Sequence, residues 1–161
     1  MVAFGVVLLV KRCCFAGHSE LTDKDKIYKN VSILIEKLIT EENVSHFRVG
    51  NYGDFDFLCA RAVRSLKDKY PHIQLDLIIP YITAGIRDLK LYYAENYDTI
   101  TIAEIPQNTP KRFYISKCNE YMVKSSYFLI CYIKNSYGGA RQTLTYAKRK
   151  KHIKIFNLAE M

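Results

Sequence analysis

Apolar residues along this chain follow two alternating patterns. Short continuous apolar runs, typical of buried strands, predict strands over residues 11–16, 44–49, 73–80, 99–105, 127–133 and 153–156. Between them, apolar residues such as Ile27, Val31 and Leu34 recur every three or four positions, which indicates the buried face of a helix. We therefore predict helices over residues 23–42 (with Thr22 as N-cap), from Asp54 or Asp56 up to Pro71, and over residues 86–97, 111–124 and 140–147.

The alternation of strands and helices defines the expected fold class. No hairpin signal lies between successive strands, so the strands are expected to be mainly parallel and covered by helices on both faces. This is an α/β three-layer sandwich. The 161 residues suit one domain, which we place at residues 11–161. In such a sheet every strand-to-helix turn lies at one edge, where ligands bind.

Residues 1–10 form a separate apolar extension. A membrane span needs about 20 such residues, and a signal peptide needs a positively charged start, which is missing here. We expect an extra strand, a lengthened first strand or part of an interface. We therefore expect a cytoplasmic protein without a membrane span.

Three glycine turns directly follow predicted strands and precede predicted helices. They are Gly17-His18-Ser19, Gly50-Asn51-Tyr52-Gly53-Asp54 and Gly138-Gly139-Ala140-Arg141. Such turns present backbone N–H groups and a helix N-terminus to an anion, usually a phosphate. Together they predict one composite pocket for a phosphorylated, nucleotide-like small molecule, with no cofactor required.

Several side chains beside these turns are candidate ligand contacts. His18 and Ser19 can bind a phosphate or a base edge, and Tyr52 can stack on a base; a capping histidine and an exposed loop tyrosine are the structural alternatives. Of Asp54 and Asp56, one is expected to cap the helix and the other to accept hydrogen bonds from a ribose. Arg141 is expected to add a charge-assisted contact. Further candidates are Tyr132, Lys134 and Thr143.

Charge and cysteine content narrow the partner classes. The net charge of +8 is compatible with a nucleic acid or a phosphorylated molecule, although Lys148-Arg149-Lys150-Lys151 lies at a predicted helix end, where cations are favoured without any partner. The five cysteines include no CxxC pair and no histidine at metal-ligand spacing. We expect reduced thiols and no metal.

Six segments together resemble bacterial SLOG-superfamily proteins, in particular a small stand-alone branch of uncharacterised members. They are residues 14–18, 49–56 with 60–62, 119–123, 126–132, 138–140 and 146–148. The similarity runs over residues 11–158. It implies a Rossmann-like fold and a nucleotide-type ligand. The superfamily includes the lonely-guy phosphoribohydrolases, DNA-processing protein A and sensor domains for NAD-derived or cyclic nucleotides. Its helices often form homodimer interfaces, which implies a homo-oligomer.

The resemblance does not carry an activity with it. Lonely-guy enzymes have a Pro-Gly-Gly-x-Gly-Thr-x-x-Glu motif with a glutamate that performs the glycosidic chemistry. Residues 137–144 of this chain read Tyr-Gly-Gly-Ala-Arg-Gln-Thr-Leu and hold no carboxylate. Three hypotheses follow: a sensor or sequestering module for a nucleotide, which we favour; an N-glycosidic hydrolase using Glu120 or Asp54/Asp56; and a single-stranded nucleic-acid binder.

Overall fold

The computed structural model describes residues 10–80 and 94–161 of the chain. In these residues six strands form one sheet: β1 (Lys11–Gly17), β2 (Val44–Val49), β3 (Gln74–Ile79), β4 (Thr99–Ile102), β5 (Phe128–Tyr132) and β6 (Lys154–Asn157). The helices with described bounds are α1 (Lys24–Glu42), α2 (Asp54–Leu66), α3 (Tyr114–Lys124) and α4 (Gly139–Lys148). A 3₁₀ turn, Lys111–Phe113, directly precedes α3.

All neighbouring strands are parallel, in the order β4-β3-β2-β1-β5-β6. The chain builds outward from β1 to β4 and then crosses back, so β5 pairs with the free side of β1. The strand order therefore reverses between β1 and β5. This arrangement confirms the predicted α/β fold and its Rossmann-like architecture. Ligands of such sheets bind at the carboxyl ends of the strands beside this reversal.

The helix starts differ from the predicted ones in detail. Thr22 is not the N-cap of α1: Asp23 holds that position with a left-handed backbone (φ 40°) and no side-chain cap. Pro110 precedes the next element with an extended backbone (φ −59°, ψ 142°), and the predicted helix 111–124 begins with a 3₁₀ turn before α3. The apolar extension 1–10, apart from Val10, lies outside the described residues, as does most of the predicted helix 86–97.

Alternation along the strands divides the core between the two faces of the sheet. Cys13 and Phe15 of β1 pack with Phe47 of β2 beneath α1 and α2. Cys14 and Ala16 face the other way, toward the side that α3 and α4 cover. The adjacent cysteines thus point to opposite layers, as expected from the period of two in a strand. Both faces are mainly apolar, with Arg48 of β2 and Asp76 of β3 as buried charged residues, and this suits a parallel sheet covered on both sides.

All five cysteines are buried and free. Burial raises the pKa of Cys14 and of Cys131 to about 12, so these thiols stay protonated and unreactive. Within residues 10–80 and 94–161, no group of three or more His, Cys, Asp or Glu side chains is placed to hold a metal ion. No helix in the same part of the chain is long and apolar enough to cross a membrane.

Candidate functional site

The three glycine turns meet at the carboxyl edge of the sheet, where they surround a cavity of about 570 Å³. Gly17, His18 and Ser19 line it from the β1 turn, Tyr52 and Gly53 from the β2 turn, and Gly138, Gly139 and Ala140 from the β5 turn. We call this space the edge cavity. Its volume lies in the range of small-molecule sites. The three turns therefore come together at one edge of the sheet, as the sequence predicts.

The first two turns are locked against each other. A Cβ on Gly53 would lie 2.8 Å from Ser19 Cβ and 2.9 Å from the Ser19 carbonyl oxygen, and a Cβ on Gly17 would lie 2.7 Å from Phe55 Cβ. The N–H of Asp54 donates to Ser19 O (2.9 Å) and that of Phe55 to His18 O (3.4 Å). The N-terminus of α2 therefore donates to protein backbone, and these glycines are required by close packing.

The third turn is open. Gly138 has a φ of 95°, which favours glycine, and nothing lies within 4 Å of a Cβ built on Gly138 or Gly139. The first backbone bond of α4 runs from Gln142 N to Gly138 O, so the N–H groups of residues 139–141 have no partner within the helix. No side chain caps this helix and no acidic residue lies in its first turn. This end of α4 has the features of an anion site.

Neither of the two aspartates of the β2 turn caps α2 through its side chain, which corrects the expectation that one does. Asp54 lies outside the edge cavity, where Oδ2 accepts from Leu21 N (3.0 Å) and pairs with Lys24 (3.1 Å). The Leu21 hydrogen bond, followed by Lys24, lowers the pKa of Asp54. Asp56 lines the cavity and accepts from Tyr52 N (3.0 Å). Burial by the surrounding protein raises its pKa from 3.8 to about 6.

The raised pKa of Asp56 predicts a pH-dependent gain in stability for Asp56→Asn. Asp56 holds its proton more tightly in the folded state than in the unfolded chain. The free energy of unfolding therefore falls as the pH rises from 3.8 to about 6, and above pH 6 the cost of the buried charge is present in full. The shift corresponds to about 3 kcal/mol at most, and solvent in the open cavity screens part of it. We expect the variant to be more stable by about 1–2 kcal/mol at pH 7.5 and no more stable at pH 4, measured by urea unfolding.

Asp54→Asn is the matched control for this test. Because the pKa of Asp54 is lowered, its carboxylate contributes stability above its ordinary pKa of 3.8 and loses it as pH falls further. The control should therefore be less stable than the wild type at pH 7.5. A loss of stability in Asp56→Asn at pH 7.5, or an effect independent of pH, would contradict the account of Asp56.

His18 joins the β1 turn to the β5 turn. Its Nε2 accepts from Lys134 N (2.9 Å) and, at 3.5 Å, from Asn135 N. Burial, followed by the charges of Arg141 and Lys134, lowers the pKa of His18. The imidazole is therefore a neutral acceptor that fixes the loop after β5. This matches the capping alternative for His18, while the ring still lines the edge cavity.

Besides Asp54 and Thr143, four predicted contacts are absent from the lining of the edge cavity and lie beside it. Arg141 is not among the lining residues, although its Nε donates to O of the lining residue Asn135 (2.7 Å). Gly50 packs against the ring of Tyr52. Tyr132 and Lys134 line an adjoining space of about 380 Å³ together with His18 and Ser19. We call it the lysine cavity.

Thr143 and Glu120 line a further adjoining space of about 330 Å³. Thr143 Oγ1 donates to Gly139 O (3.1 Å) and accepts from Asn119 Nδ2 (3.2 Å), so it ties α4 to α3. Glu120 pairs with Lys117 at 3.0 Å. The carboxylate proposed for glycosidic chemistry is thus a neighbour of the edge cavity and not part of its lining.

One wall of the edge cavity was missed by the sequence reasoning. It comes from the segment after β4 and consists of Arg112, Phe113, Ile115, Ser116 and Asn119. Phe113 and Ile115 are 43% and 48% exposed, and Tyr137, on the opposite side, is 75% exposed. A signal was present: this segment also follows a parallel strand, so it had to reach the same edge. It carries no glycine, so the pattern of glycine turns does not mark it.

No family model matches the chain. Over 139 residues it is 27% identical to the uncharacterised SPbeta prophage-derived protein YoqJ of Bacillus subtilis, covering 77% of this chain and 81% of that protein. It is 25% identical over 126 residues to the UPF0398 protein BH1768 of Halalkalibacterium halodurans, covering 74% and 67%.

Two solved structures share the fold. DNA processing protein A of Streptococcus pneumoniae matches with a TM-score of 0.64 and 14% identity over 92% of this chain. The Helicobacter pylori protein, solved for its single-stranded DNA binding mode, matches with a TM-score of 0.63 and 12% identity over 91%. This chain spans 50% and 64% of those proteins. The chain is therefore similar to DNA processing protein A in fold, and to YoqJ and the UPF0398 protein in sequence.

Proposed function

We propose that this protein binds a nucleotide or a nucleotide-derived signal in the edge cavity and acts as a sensor or a sequestering module. One observation carries the proposal: the start of α4 lines the cavity with Gly138, Gly139 and Ala140, its first N–H groups have no partner within the helix, and nothing lies within 4 Å of a Cβ built on either glycine. A phosphate group satisfies such N–H groups and complements the helix dipole.

The rest of the lining suits the remainder of a nucleotide. Asp56 is an acceptor for ribose hydroxyls or a base amino group, which are donors that a phosphate lacks. Phe113 and Tyr137 are exposed aromatic rings on which a base can stack. Arg112 adds a positive charge at the rim. These groups would orient the ligand with its phosphate toward α4.

Cleavage of a nucleotide bound in the edge cavity would have to use Asp56. A glycosidic hydrolase needs a carboxylate beside the ribose to activate water. Glu120 is paired with Lys117 outside the edge cavity, which leaves Asp56 as the carboxylate within the lining that the structure describes. Asp56 therefore replaces Glu120 as the residue to test if nucleotide cleavage is ever detected.

Single-stranded DNA is the second candidate ligand. The Helicobacter pylori protein of the same fold binds single-stranded DNA, and this chain carries a net charge of +8. A site for DNA would require an affinity that falls steeply with salt, since phosphate contacts release counterions. The affinity for a single nucleotide, bound at one molecule per chain, should depend less on the salt concentration.

Native mass spectrometry of the protein purified from its own host tests the proposal directly. We expect a co-purifying nucleotide at one molecule per chain, and the same spectrum reports whether the chain is the homo-oligomer that we propose. Calorimetric titration with the nucleoside 5′-monophosphates and with a single-stranded oligonucleotide of about 20 residues then separates the two ligands. Failure of every nucleotide to bind, with the oligonucleotide bound in a salt-dependent way, would overturn the proposal in favour of DNA.

A further inference from the structure

We infer that the ligand is a dinucleotide, with one nucleotide unit in the edge cavity and the second in the lysine cavity. This inference rests on the proposed function and extends it. The two spaces share His18, Ser19 and Asn135 in their linings, so they adjoin each other along the edge of the sheet. A mononucleotide seated at α4 leaves the lysine cavity, of about 380 Å³, unfilled.

The lysine cavity carries the chemistry of a second nucleotide site. Lys134 is exposed and makes no ion pair within 4.0 Å in the described part of the chain. Its Nζ lies 5.4 Å from the centre of the Tyr132 ring, and a hydrogen bond with Tyr132 raises the pKa of Lys134, so the ammonium stays charged. Ser19 and Thr22 add hydroxyls, and Glu20 adds an acceptor for ribose hydroxyls.

His18 is fitted to stand between two nucleotide units. Its ring is neutral and its Nε2 accepts from Lys134 N, so His18 has no positive charge that would draw the phosphate of either nucleotide unit away from α4 or from Lys134. The space on the other side of the edge cavity is less suitable for a second unit. Its cation, Lys117, is already paired with Glu120 at 3.0 Å, so it offers little net charge to another phosphate.

Calorimetric titration with nucleoside 5′-monophosphates and the matching 5′-phosphorylated homodinucleotides tests this inference. For the base that binds best, we expect the dinucleotide to bind about 10-fold more tightly or better, as one additional charge-assisted contact provides. In Lys134→Met, which keeps the aliphatic stem, this gain should fall to within about 2-fold while affinity for the monophosphate stays unchanged. Lys117→Met is the matched control and should keep the full gain.

The outcomes separate the two proposals. Equal affinity for monophosphate and dinucleotide in the wild type overturns the dinucleotide inference and leaves nucleotide binding intact. Loss of the gain in Lys117→Met instead of Lys134→Met overturns the assignment of the second unit to the lysine cavity. A further large gain for an oligonucleotide of about 20 residues identifies a polymer as the occupant and overturns the inference. Absence of binding by any nucleotide overturns the proposed function itself.

Discussion

Gly139→Asp is expected to weaken nucleotide binding by about 100-fold while leaving the fold intact. The new carboxylate would lie at the open start of α4, where it repels a phosphate and removes two charge-assisted hydrogen bonds of roughly 1.5 kcal/mol each. Nothing lies within 4 Å of a Cβ built at this position, so the new side chain starts in open space. An acidic residue in the first turn of a helix is itself favourable. Calorimetric titration and thermal unfolding measure the two effects separately.

Two controls make this result specific to charge at the site. Gly139→Asn has nearly the same shape without the charge and should lose less than about 10-fold. Thr145→Asp adds the same charge on an exposed position of α4, away from the edge cavity, and should bind as the wild type does. Equal losses in Gly139→Asp and Thr145→Asp would mean that only net charge matters. Unchanged affinity in Gly139→Asp would remove the start of α4 from the site.

Gly53→Ala is expected to lower the free energy of unfolding by about 3 kcal/mol, the upper part of the range for overpacking. The added Cβ would overlap the backbone of Ser19, including its Cα and its carbonyl oxygen. Because Ser19 O also accepts from Asp54 N, the two turns cannot separate without losing that bond. Urea unfolding followed by circular dichroism or by the fluorescence of the 13 tyrosines measures the loss, since the chain has no tryptophan.

The matched control is the same substitution at an open turn. Gly139→Ala places its Cβ in free space and reduces the freedom of the unfolded chain, so its stability should be unchanged or higher by up to about 1 kcal/mol. A Gly53→Ala variant as stable as Gly139→Ala would show that the β1 and β2 turns are not packed as tightly as described. The pair therefore separates a glycine needed for packing from a glycine that leaves room for a ligand.

The fold was predictable because strand and helix patterns differ in period and follow one another regularly here. β2 has the predicted bounds, and the alternation of elements was enough to infer a parallel sheet. Helix starts were less predictable, because the caps depend on backbone angles such as the left-handed Asp23. The sequence alone does not distinguish an aspartate with a left-handed backbone from an aspartate whose side chain caps a helix.

The meeting of the three turns was predictable, but the roles of the residues within them were not. Strand direction places the turns at one edge regardless of detail. The sequence does not show which of the two aspartates lines the cavity. Asp54 is held outside it by a hydrogen bond from Leu21, which is distant in the sequence, and Asp56 accepts from the nearby Tyr52, whose backbone N–H gives no sequence signal. Arg141 stays a predicted ligand contact, and the hydrogen bond from its Nε to the carbonyl of Asn135 was not predictable because it depends on the folded loop.

The interlocked β1 and β2 turns bear on how such proteins diverge. Substitutions at Gly17 or Gly53 carry a cost to folding whatever the ligand is. The wall after β4, including Arg112 and Ile115, is exposed and contributes little to the core. Proteins of this architecture can therefore change their ligand specificity through substitutions in that wall, while the interlocked β1 and β2 turns keep the fold unchanged.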